Sequence, residues 1–387
     1  MKIAVVVSEL NIRGGTHKQV LRLCEYLREN KYDFILCTKY LNLEHTYKEF
    51  ENFNIIYLEN KDWQNNVNVN IVRKITNKIK YYRDQVALYK RIPGDVDIIN
   101  VHDNGLTSFI CIAKKHKQKI VWQINDLPAE FFVGAFQNIK KTLRLRLKQL
   151  YTKSVARKVD VITVNVTKNK NLVKQCVDRN AEVLYCGIDV NKKLIKHKYI
   201  NKNQIRLLST GVFFPHRNYE TLVKVIDELR NRKIDVHLDI IGDTKADKTY
   251  SNMILDLIRS LHLDKHITVH GQVDDGTYND LYNKADVFLF INVNQSWGLA
   301  VFEAMSCGLP TIVSNSVGAI ELLHNGQDAI IVDPFNINEI CDQVQRLMID
   351  EQYYNMLSKN ASNNTRDYTW DNLYSSKMVE IFKKMGV

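Results

Sequence analysis

Short apolar runs alternate with longer amphipathic stretches along the first half of the chain. Several of these runs are continuously apolar, which is typical of strands in a sheet that helices cover on both faces. Stretches with helical periodicity occupy residues 16–29, 71–90 and 139–158. This alternation predicts one Rossmann-like domain with a mainly parallel sheet over residues 1–190. Its predicted strands are residues 3–8, 33–37, 55–58, 97–101, 120–124, 160–164 and 182–185.

A second series of the same kind begins after residues 191–204, a polar, lysine-rich stretch that we interpret as a connector. The pattern predicts a second Rossmann-like domain over residues 205–367 and an amphipathic terminal helix over 368–387. The predicted strands of the second domain are residues 205–209, 236–241, 267–269, 287–291, 311–313 and 329–332, and its helices are 219–230, 250–260, 298–305 and 337–348.

The composition is that of an ordinary globular protein of two domains, with 387 residues, 45% hydrophobic and 25% charged. No apolar run approaches the roughly 20 residues that span a bilayer, and the chain enters a strand pattern at its start, so we expect a cytoplasmic protein. The seven cysteines are scattered, without a Cys-x-x-Cys pair or a histidine cluster. They predict reduced, mostly buried thiols and no metal site.

The net charge of +11 is concentrated in the first half of the chain. Residues 1–190 carry 32 lysines and arginines against 19 acidic residues, whereas the remainder carries 22 against 24. Such a field attracts an anionic partner, which could be a membrane surface, a nucleic acid or a phosphorylated acceptor. A solvated lysine-rich face is the alternative. No recognisable nucleic-acid-binding module accompanies the charge, so we expect no nucleic acid.

The most informative segment is residues 295–310. Gly298 precedes a helical run and would let the backbone approach a ligand closely. The amides of Leu299 and Ala300 would lack intrahelical partners, which favours a phosphate. Glu303, one turn further, could accept hydrogen bonds from a diol. The segment predicts a phosphate-and-ribose site, and a buried helix start without a ligand is the alternative.

Other candidates follow predicted strands, where open parallel sheets bind ligands. Gly14 and Gly15 permit a tight turn that brings N–H groups toward a ligand, although a turn without a ligand is the alternative. They do not form a Gly-x-Gly-x-x-Gly fingerprint, so no nicotinamide cofactor is indicated. Arg217 could bind phosphate oxygens in a bidentate manner, or lie at the surface. His102 and Asp126 also lie at strand ends, where a structural histidine is the alternative for His102.

These segments, in this order, resemble family 4 glycosyltransferases, which are retaining enzymes of the GT-B fold. Residues 295–310 are similar to the family's Glu-x7-Glu motif, with Gln295 where the first glutamate usually stands and Glu303 as the second. The family carries Gly-Gly at positions 14–15. Arg217 stands in place of the family's lysine after Gly211, while Val212 replaces an arginine.

Further matches lie in both halves of the chain. His102 matches the second histidine of a His-x-His pattern, with Asn100 in the first place. The pair Asn125-Asp126 resembles the usual His-Asp. Glu321 matches the acid of a Gly-Gly-x-x-Glu segment, and residues 368–371 resemble the family's closing aromatic-Ser-Trp-Glu segment.

The resemblance implies α/β architecture of the GT-B type, with two Rossmann-like domains facing a central cleft. The first domain would bind the acceptor, the second would bind the nucleotide-sugar, and the terminal helix would pack back on the first domain. The implied reaction moves a sugar from a UDP- or GDP-sugar to an acceptor hydroxyl with retention. No cofactor is expected, because the nucleotide-sugar is a substrate. No metal is expected either, because no Asp-x-Asp cluster stands where a divalent ion would bridge the diphosphate.

The resemblance also implies residue roles. Glu303 would bind the ribose hydroxyls, and Arg217 with the Leu299 and Ala300 amides would bind the diphosphate. Gln295 would bind hydroxyls of the donor sugar. Gly14, Gly15, Gly298 and Glu321 would complete the donor site, and His102 and Asp126 would lie near the transferred sugar or the acceptor hydroxyl.

The stretch 139–158 is a candidate membrane surface. Its apolar positions follow helical spacing, so one face is expected to pack while the other is cationic. We therefore expect a lipid-linked saccharide acceptor and a peripheral location at the inner face of the membrane, against the alternative of a solvated face. A catalytically silent GT-B protein is the competing hypothesis, because Val212, Asn125 and Gln295 depart from the family. The basic residues of the surface are Lys140, Lys141, Arg144, Arg146 and Lys148.

Overall fold

The computed structural model describes residues 1–61, 71–114, 118–132, 139–189, 199 and 204–386, with the backbone alone at 71–75. The chain divides into two compact units. The first unit contains Met1–Cys186 together with Trp370–Val387, and the second contains Gly187–Thr369. The predicted connector, residues 191–204, lies almost wholly outside the described residues.

The first unit is built on a seven-stranded sheet in the order β3-β2-β1-β4-β5-β6-β7, with every neighbouring pair parallel. β1, β4 and β5 are mostly buried, as expected of strands that helices cover on both faces, and β4 and β5 also bury the polar residues Asn100, His102 and Gln123. The strands are β1 (Lys2–Leu10), β2 (Asp33–Leu41), β3 (Ile55–Asn60), β4 (Ile98–His102), β5 (Lys119–Ile124), β6 (Val161–Val164) and β7 (Glu182–Val183), and the helices are α1 (Gly15–Glu29), α2 (Ile71–Arg91), α3 (Thr107–Ala113), α4 (Ile139–Ala156) and α5 (Thr167–Val177).

The second unit repeats this plan with six parallel strands in the order β10-β9-β8-β11-β12-β13. Side chains of Asp247, Asp274, Asn336 and Asp350 cap the first turns of the helices that begin at the next residue in each case. The strands are β8 (Gln204–Thr210), β9 (Asp235–Ile241), β10 (Ile267–Gly271), β11 (Val287–Phe290), β12 (Thr311–Ser314) and β13 (Ile330–Val332), and the helices are α6 (Tyr219–Asn231), α7 (Lys248–Ser260), α8 (Asp275–Lys284), α9 (Leu299–Ser306), α10 (Ile337–Ile349) and α11 (Glu351–Asn364).

The last segment of the chain belongs to the first unit. A π-helical turn, Asp371–Ser375, leads into α12 (Ser376–Lys384). The turn packs on α1, where Ser375 Oγ lies 3.5 Å from the Arg22 carbonyl oxygen. Tyr374, Met378 and Phe382 are fully buried. The segment therefore contributes to the hydrophobic core of this unit.

In both units the strand order reverses beside the first strand. The reversal falls between β1 and β4 in the first unit, and between β8 and β11 in the second. Open parallel sheets bind ligands outside the carboxyl ends of the strands at such a point. Each unit therefore offers one edge at which a ligand is expected. Among the described residues, no helix is both long and apolar enough to span a bilayer.

Candidate functional site

The loop after β8 is shaped by two glycines in contact. Gly211 has a φ of +155°, a value that L-residues with side chains rarely adopt. A Cβ on Gly242, at the end of β9, would lie 1.8 Å from the Gly211 carbonyl oxygen, so only glycine fits there. A Cβ on Gly211 would lie 3.0 Å from Arg217 Nε. The Arg217 side chain therefore lies directly over the end of β8.

Arg217 reaches across the strand reversal to Asn292, which follows β11. With the Asn292 amide oriented to satisfy both partners, its oxygen accepts from Arg217 Nη1 at 2.8 Å and its nitrogen donates to the Arg217 carbonyl at 3.3 Å. Arg217 Nε is buried and has no hydrogen-bond partner among the described residues. Burial lowers the pKa of Arg217, but a guanidinium stays charged in proteins. The site thus holds a positive charge with an unused donor, as an anionic ligand requires.

Gly298 stands directly before α9 at a position where a side chain would be crowded by its neighbours. A Cβ at this position would lie 3.1 Å from Phe290 Cε1 and 3.3 Å from Val301 Cγ2, so the start of the helix sits close against β11. Gly298 supplies no side-chain cap. The amides of Leu299 and Ala300 are the first of the helix and have no intrahelical acceptor. The positive end of the helix dipole at this point also favours an anion.

Glu303 projects from α9 toward α8. The Tyr278 hydroxyl donates to Glu303 Oε2 at 3.2 Å, and the Tyr278 and Tyr282 rings lie 4.6 Å apart. Burial, followed by the nearby Tyr282 and Glu303, raises the pKa of Tyr278 well above its usual range, so the phenol remains a donor. Sequence reasoning missed Tyr278. The i, i+4 tyrosine pair was the signal available for it.

The loops after β11 and β12 are joined by two hydrogen bonds. Gly318 N–H donates to the Gln295 carbonyl oxygen at 3.0 Å, and Asn294 N–H donates to Ser316 Oγ at 2.8 Å. Gln295 Oε1 is buried without a hydrogen-bond partner in the described part of the chain. Glu321 lies half-buried on the 3-10 turn Gly318–Leu322 that follows.

The second unit therefore brings most of the predicted donor residues to one edge of its sheet. Arg217, Gln295, the start of α9 and Glu321 all follow β8, β11 and β12, which are neighbours. One cation, free helix amides, a carboxylate and an amide oxygen suit a ligand with a phosphate and several hydroxyls. Within the described residues, no group of three or more histidine, cysteine or acidic side chains is arranged to hold a metal ion.

In the first unit, the predicted glycines begin α1. The Gly14 carbonyl accepts from Lys18 N–H at 3.0 Å, and a Cβ on Gly14 would lie 3.2 Å from His17 Nδ1. A Cβ on Gly15 would meet nothing within 4 Å. Gly14 is thus explained by its contact with His17, whereas Gly15 leaves open space at the helix start.

His102 and Asp126 differ in the solvent exposure of their side chains. His102 has no exposed surface, and its Nε2 lies 2.8 Å from Asn100 Oδ1. Burial, with a smaller effect of His17, lowers the pKa of His102 to about 3, so the imidazole is neutral at pH 7. Asp126 is exposed after β5. Of these two residues, only Asp126 has an exposed side chain.

A group of ionisable side chains that sequence reasoning missed lies at the carboxyl edge of the same sheet. Lys39 on β2 is only 3% exposed. Glu9 on β1 and Asp103 after β4 are close enough to influence the pKa of its ammonium. Burial lowers the pKa of Lys39 and raises those of Glu9 and Asp103. Lys39 and Glu9 lie near the carboxyl ends of otherwise apolar strands and Asp103 directly follows one, so this position was the available signal.

The predicted membrane surface on α4 differs from the expectation in one respect. The five basic residues Lys140, Lys141, Arg144, Arg146 and Lys148 are exposed as expected. Of the apolar face that was expected to pack, only Val155 does, because the helix meets the core through Leu145, Thr152, Val155 and Ala156. The exposed apolar residues are Ile139 (84%), Leu143 (60%), Leu147 (61%), Leu150 (64%) and Tyr151 (47%).

Two Rossmann-like units, each built on a sheet of parallel strands alternating with helices, are the architecture of GT-B glycosyltransferases. Residues 13–192 match the family described as Glycosyltransferase Family 4, and residues 190–364 match Glycosyl transferases group 1. The chain belongs to the family 4 glycosyltransferases.

Individual relatives are distant. Mannosylfructose-phosphate synthase of Agrobacterium fabrum is 24% identical over 47% of this chain, and the match spans 41% of that protein, less than half its length. N-acetyl-alpha-D-glucosaminyl L-malate synthase of Bacillus anthracis is 25% identical over 75% of this chain and 74% of its own. HepE of Anabaena, whose structure is a complex with UDP, superposes with a TM-score of 0.74 at 15% identity, covering 99% of this chain and 100% of that one. This likeness shows the fold.

Proposed function

We propose that this protein transfers a sugar from a UDP- or GDP-sugar to an acceptor hydroxyl, with retention at the anomeric carbon and without a metal ion. The observation that carries the proposal is the Arg217 guanidinium, whose Nε is a buried, unused donor on the sheet edge at which the uncapped α9 also begins. The similarity to HepE, a protein bound to UDP, supports a nucleotide-sugar donor. Retention and metal independence rest on the family resemblance.

In this proposal each donor residue binds one part of the substrate. Glu303 binds the ribose hydroxyls, with Tyr278 holding its carboxylate in place. Arg217 and the amides of Leu299 and Ala300 bind the diphosphate. These groups lower the barrier by stabilising the charge that develops on the leaving diphosphate, because they are already in position before the reaction.

The remaining predicted residues act on the sugar and the acceptor. Gln295 Oε1 accepts a hydrogen bond from a donor-sugar hydroxyl, and Glu321 supports the same segment. In the first unit, Gly15 leaves space at the helix start and Asp126 acts near the acceptor hydroxyl. His102 is too deeply buried for contact in this structure, so we assign it to positioning the end of β4.

A calorimetric titration against UDP-, GDP- and ADP-sugars tests donor binding. We expect one nucleotide class to bind, and Glu303→Ala to abolish or strongly weaken that binding. Glu351→Ala, which removes an exposed glutamate at the start of α11, is the matched control and should bind normally. Unaltered affinity in Glu303→Ala would remove the ribose assignment. Activity that EDTA abolishes would remove the metal-independent reaction.

A catalytically silent protein that binds a nucleotide-sugar or a polyanion is the second candidate. The observation that favours it is the set of departures at Val212, Asn125 and Gln295. The Asn125 amide is occupied, since it donates to Thr16 and accepts from Gln123. Donor hydrolysis, measured with and without membrane extract, separates the two: nucleotide binding with no turnover in either condition favours the silent protein.

We also propose that α4 holds the enzyme on an anionic membrane, where a lipid-linked saccharide is the acceptor. The helix exposes an apolar stripe next to its cations, which is the arrangement of interfacial helices. Each basic residue near an anionic surface adds on the order of 1 kcal/mol. The stripe adds an apolar contribution that charge alone does not supply.

Sedimentation with phosphatidylglycerol-containing vesicles tests this surface in two ways. Reversing Lys140, Lys141, Arg144 and Arg146 to glutamate should release the protein, and Leu143→Ser with Leu147→Ser should weaken binding without changing the charge. Reversing exposed Lys168 and Lys170 on α5 is the control and should leave the protein bound. A wild-type protein that does not sediment with these vesicles rules out the membrane surface.

A further inference from the structure

The Arg217 guanidinium is enclosed at two of its three nitrogen atoms. Nη1 donates to the Asn292 amide oxygen at 2.8 Å, and Nε is buried where a Cβ on Gly211 would lie 3.0 Å from it. Nη2 has no hydrogen-bond partner among the described residues, and the side chain as a whole is only half-buried. Because a guanidinium is planar, fixing two nitrogens also fixes the direction of the third. Nη2 is therefore the donor that a ligand can reach.

Asn292 uses both ends of its side-chain amide on this one residue. It is only 2% exposed, its oxygen accepts from Arg217 Nη1, and its nitrogen donates to the Arg217 carbonyl at 3.3 Å. A carboxylate in its place could not donate to the carbonyl and would neutralise the guanidinium, whereas an apolar side chain could make neither contact. The amide therefore fixes the cation without cancelling its charge.

The backbone of the loop between β8 and α6 is held by other contacts. Asn218, which follows Arg217, adopts the left-handed conformation with a φ of +55°. Its buried amide nitrogen donates to the carbonyl oxygens of Ile291 at 3.1 Å and Pro334 at 3.0 Å, which ties the loop to the segments that follow β11 and β13. What the Asn292 side chain adds to these contacts is the orientation of the Arg217 guanidinium.

The positive charge of Arg217 has no counter-charge beside it. Burial lowers the pKa of Arg217, and the Tyr219 phenol is the neighbouring ionisable group that acts on it. No carboxylate among the described residues forms a salt bridge with this guanidinium. An oriented cation without a counter-charge suits a phosphate group, because hydrogen bonds between charged partners are the strong ones.

We propose that Asn292 is a positioning residue for phosphate recognition, which directs Arg217 Nη2 toward a phosphate group of the ligand and preserves the full charge of the guanidinium. The proposal rests on the proposed transferase function and names a residue on which recognition of the donor diphosphate depends. Asn292 acts through Arg217, because both ends of its own amide are occupied.

A double-mutant cycle, measured by calorimetry with UDP, tests this role. Asn292→Leu, a replacement of similar size, should weaken UDP binding about fivefold or more, the factor expected when one ordinary hydrogen bond is lost. In the Arg217→Met background the same substitution should change the affinity by less than about twofold, because no guanidinium is left to orient. Asn363→Leu, at an exposed position on α11, is the matched control and should bind as the wild type does. Equal losses in both backgrounds, or no loss in either, would overturn the proposal.

Heteronuclear NMR of the arginine side chains in the free, full chain is a second measurement that does not depend on binding. Rotation of the Arg217 guanidinium should be slow, so its two Nη groups should give separate signals, identified by their loss in Arg217→Met. In Asn292→Ala these signals should merge. Merged signals in the wild type, or separate signals that persist in Asn292→Ala, would show that Asn292 does not hold the guanidinium. If Asn292→Leu does not fold, Asn292→Ala takes its place in the cycle.

Failure of the donor proposal would look different. Inorganic pyrophosphate, which lacks the nucleoside and the sugar, is the probe that separates the two. A wild type that binds pyrophosphate in a manner that depends on Asn292, but binds no nucleotide, would count against the transferase and not against the positioning role. A wild type that binds UDP with an affinity that Asn292→Leu leaves unchanged would count against the positioning role alone.

Discussion

The two units share one strand order and differ in the chemistry at its reversal point. In the second unit, the described residues of this edge include glycine backbone, helix amides and the partly buried cation of Arg217. In the first unit, the same edge holds buried ionisable side chains, among them Lys39, His102 and Asp103. The topology therefore determines where a ligand lies, whereas the side chains determine which ligand it is.

The close backbone contact between Gly211 and Gly242, at the edge of the second unit's sheet, is the first difference that can be tested. In Gly242→Ala the new Cβ would lie 1.8 Å from a carbonyl oxygen, so we expect the free energy of unfolding to fall by more than about 3 kcal/mol. Gly15→Ala, where a Cβ meets nothing within 4 Å, should change it by less than about 1 kcal/mol. Urea denaturation measures both. Equal changes in the free energy of unfolding for Gly242→Ala and Gly15→Ala would show that the two glycine positions do not differ in packing.

The Arg217 guanidinium at the edge of the second unit's sheet is the next difference. Arg217→Met removes hydrogen bonds from a charged donor, which contribute about 1.5–3 kcal/mol, so UDP should bind roughly 10- to 150-fold more weakly. Calorimetry checks the affinity. Arg230→Met, at an exposed position on α6, is the matched control. Unchanged UDP affinity in Arg217→Met would show that the helix amides bind the diphosphate without Arg217.

Buried ionisable groups in the first unit predict a pH dependence of stability. His102 has a pKa of about 3 when folded and near 6.5 when unfolded, so below pH 6.5 the unfolded chain binds the additional proton. The free energy of unfolding should therefore fall by about 1.4 kcal/mol for each pH unit below 6.5 on account of His102. Urea denaturation at pH 7, 6 and 5 should give a flatter dependence for His102→Gln. A slope that this substitution leaves unchanged contradicts the assignment.

The smallest expected effect concerns the support of Glu303. Tyr278→Phe removes one hydrogen bond to the carboxylate, and about 1 kcal/mol of binding free energy should be lost with it. UDP affinity should fall several-fold, as measured by calorimetry. Tyr353→Phe on α11 should leave it unchanged. A loss as large as that of Glu303→Ala would mean that Tyr278 contacts the nucleotide itself.

Much of the fold could be predicted because burial leaves a periodic record in the sequence. The predicted strand 287–291 appears as β11 (Val287–Phe290), and 311–313 appears as β12 (Thr311–Ser314). Helices α8 and α11 were not predicted, since both are rich in polar residues and bury only part of one face. Periodicity is weak wherever a helix covers a small part of the core.

The candidate site was predictable only where its residues are close in sequence. Glu303 could be placed because its spacing from Gly298 is local. Asn292, Tyr278 and Lys39 could not, because each acquires its role from a residue on another strand or helix. The outward-facing stripe of α4 was missed for a related reason: periodicity identifies an apolar face but does not say whether another element covers it.

The discontinuous first unit has a consequence for how this protein is made. The π-helical turn and α12 supply buried aromatic side chains to that unit, yet they follow the whole second unit along the chain. At about 5–20 residues per second, a ribosome needs roughly 10–40 s to synthesise the intervening segment. The second unit can therefore complete its folding before the first. Until the last segment has been synthesised, the part of α1 that it covers stays exposed. Chaperones that bind nascent chains would meet this surface on α1 first.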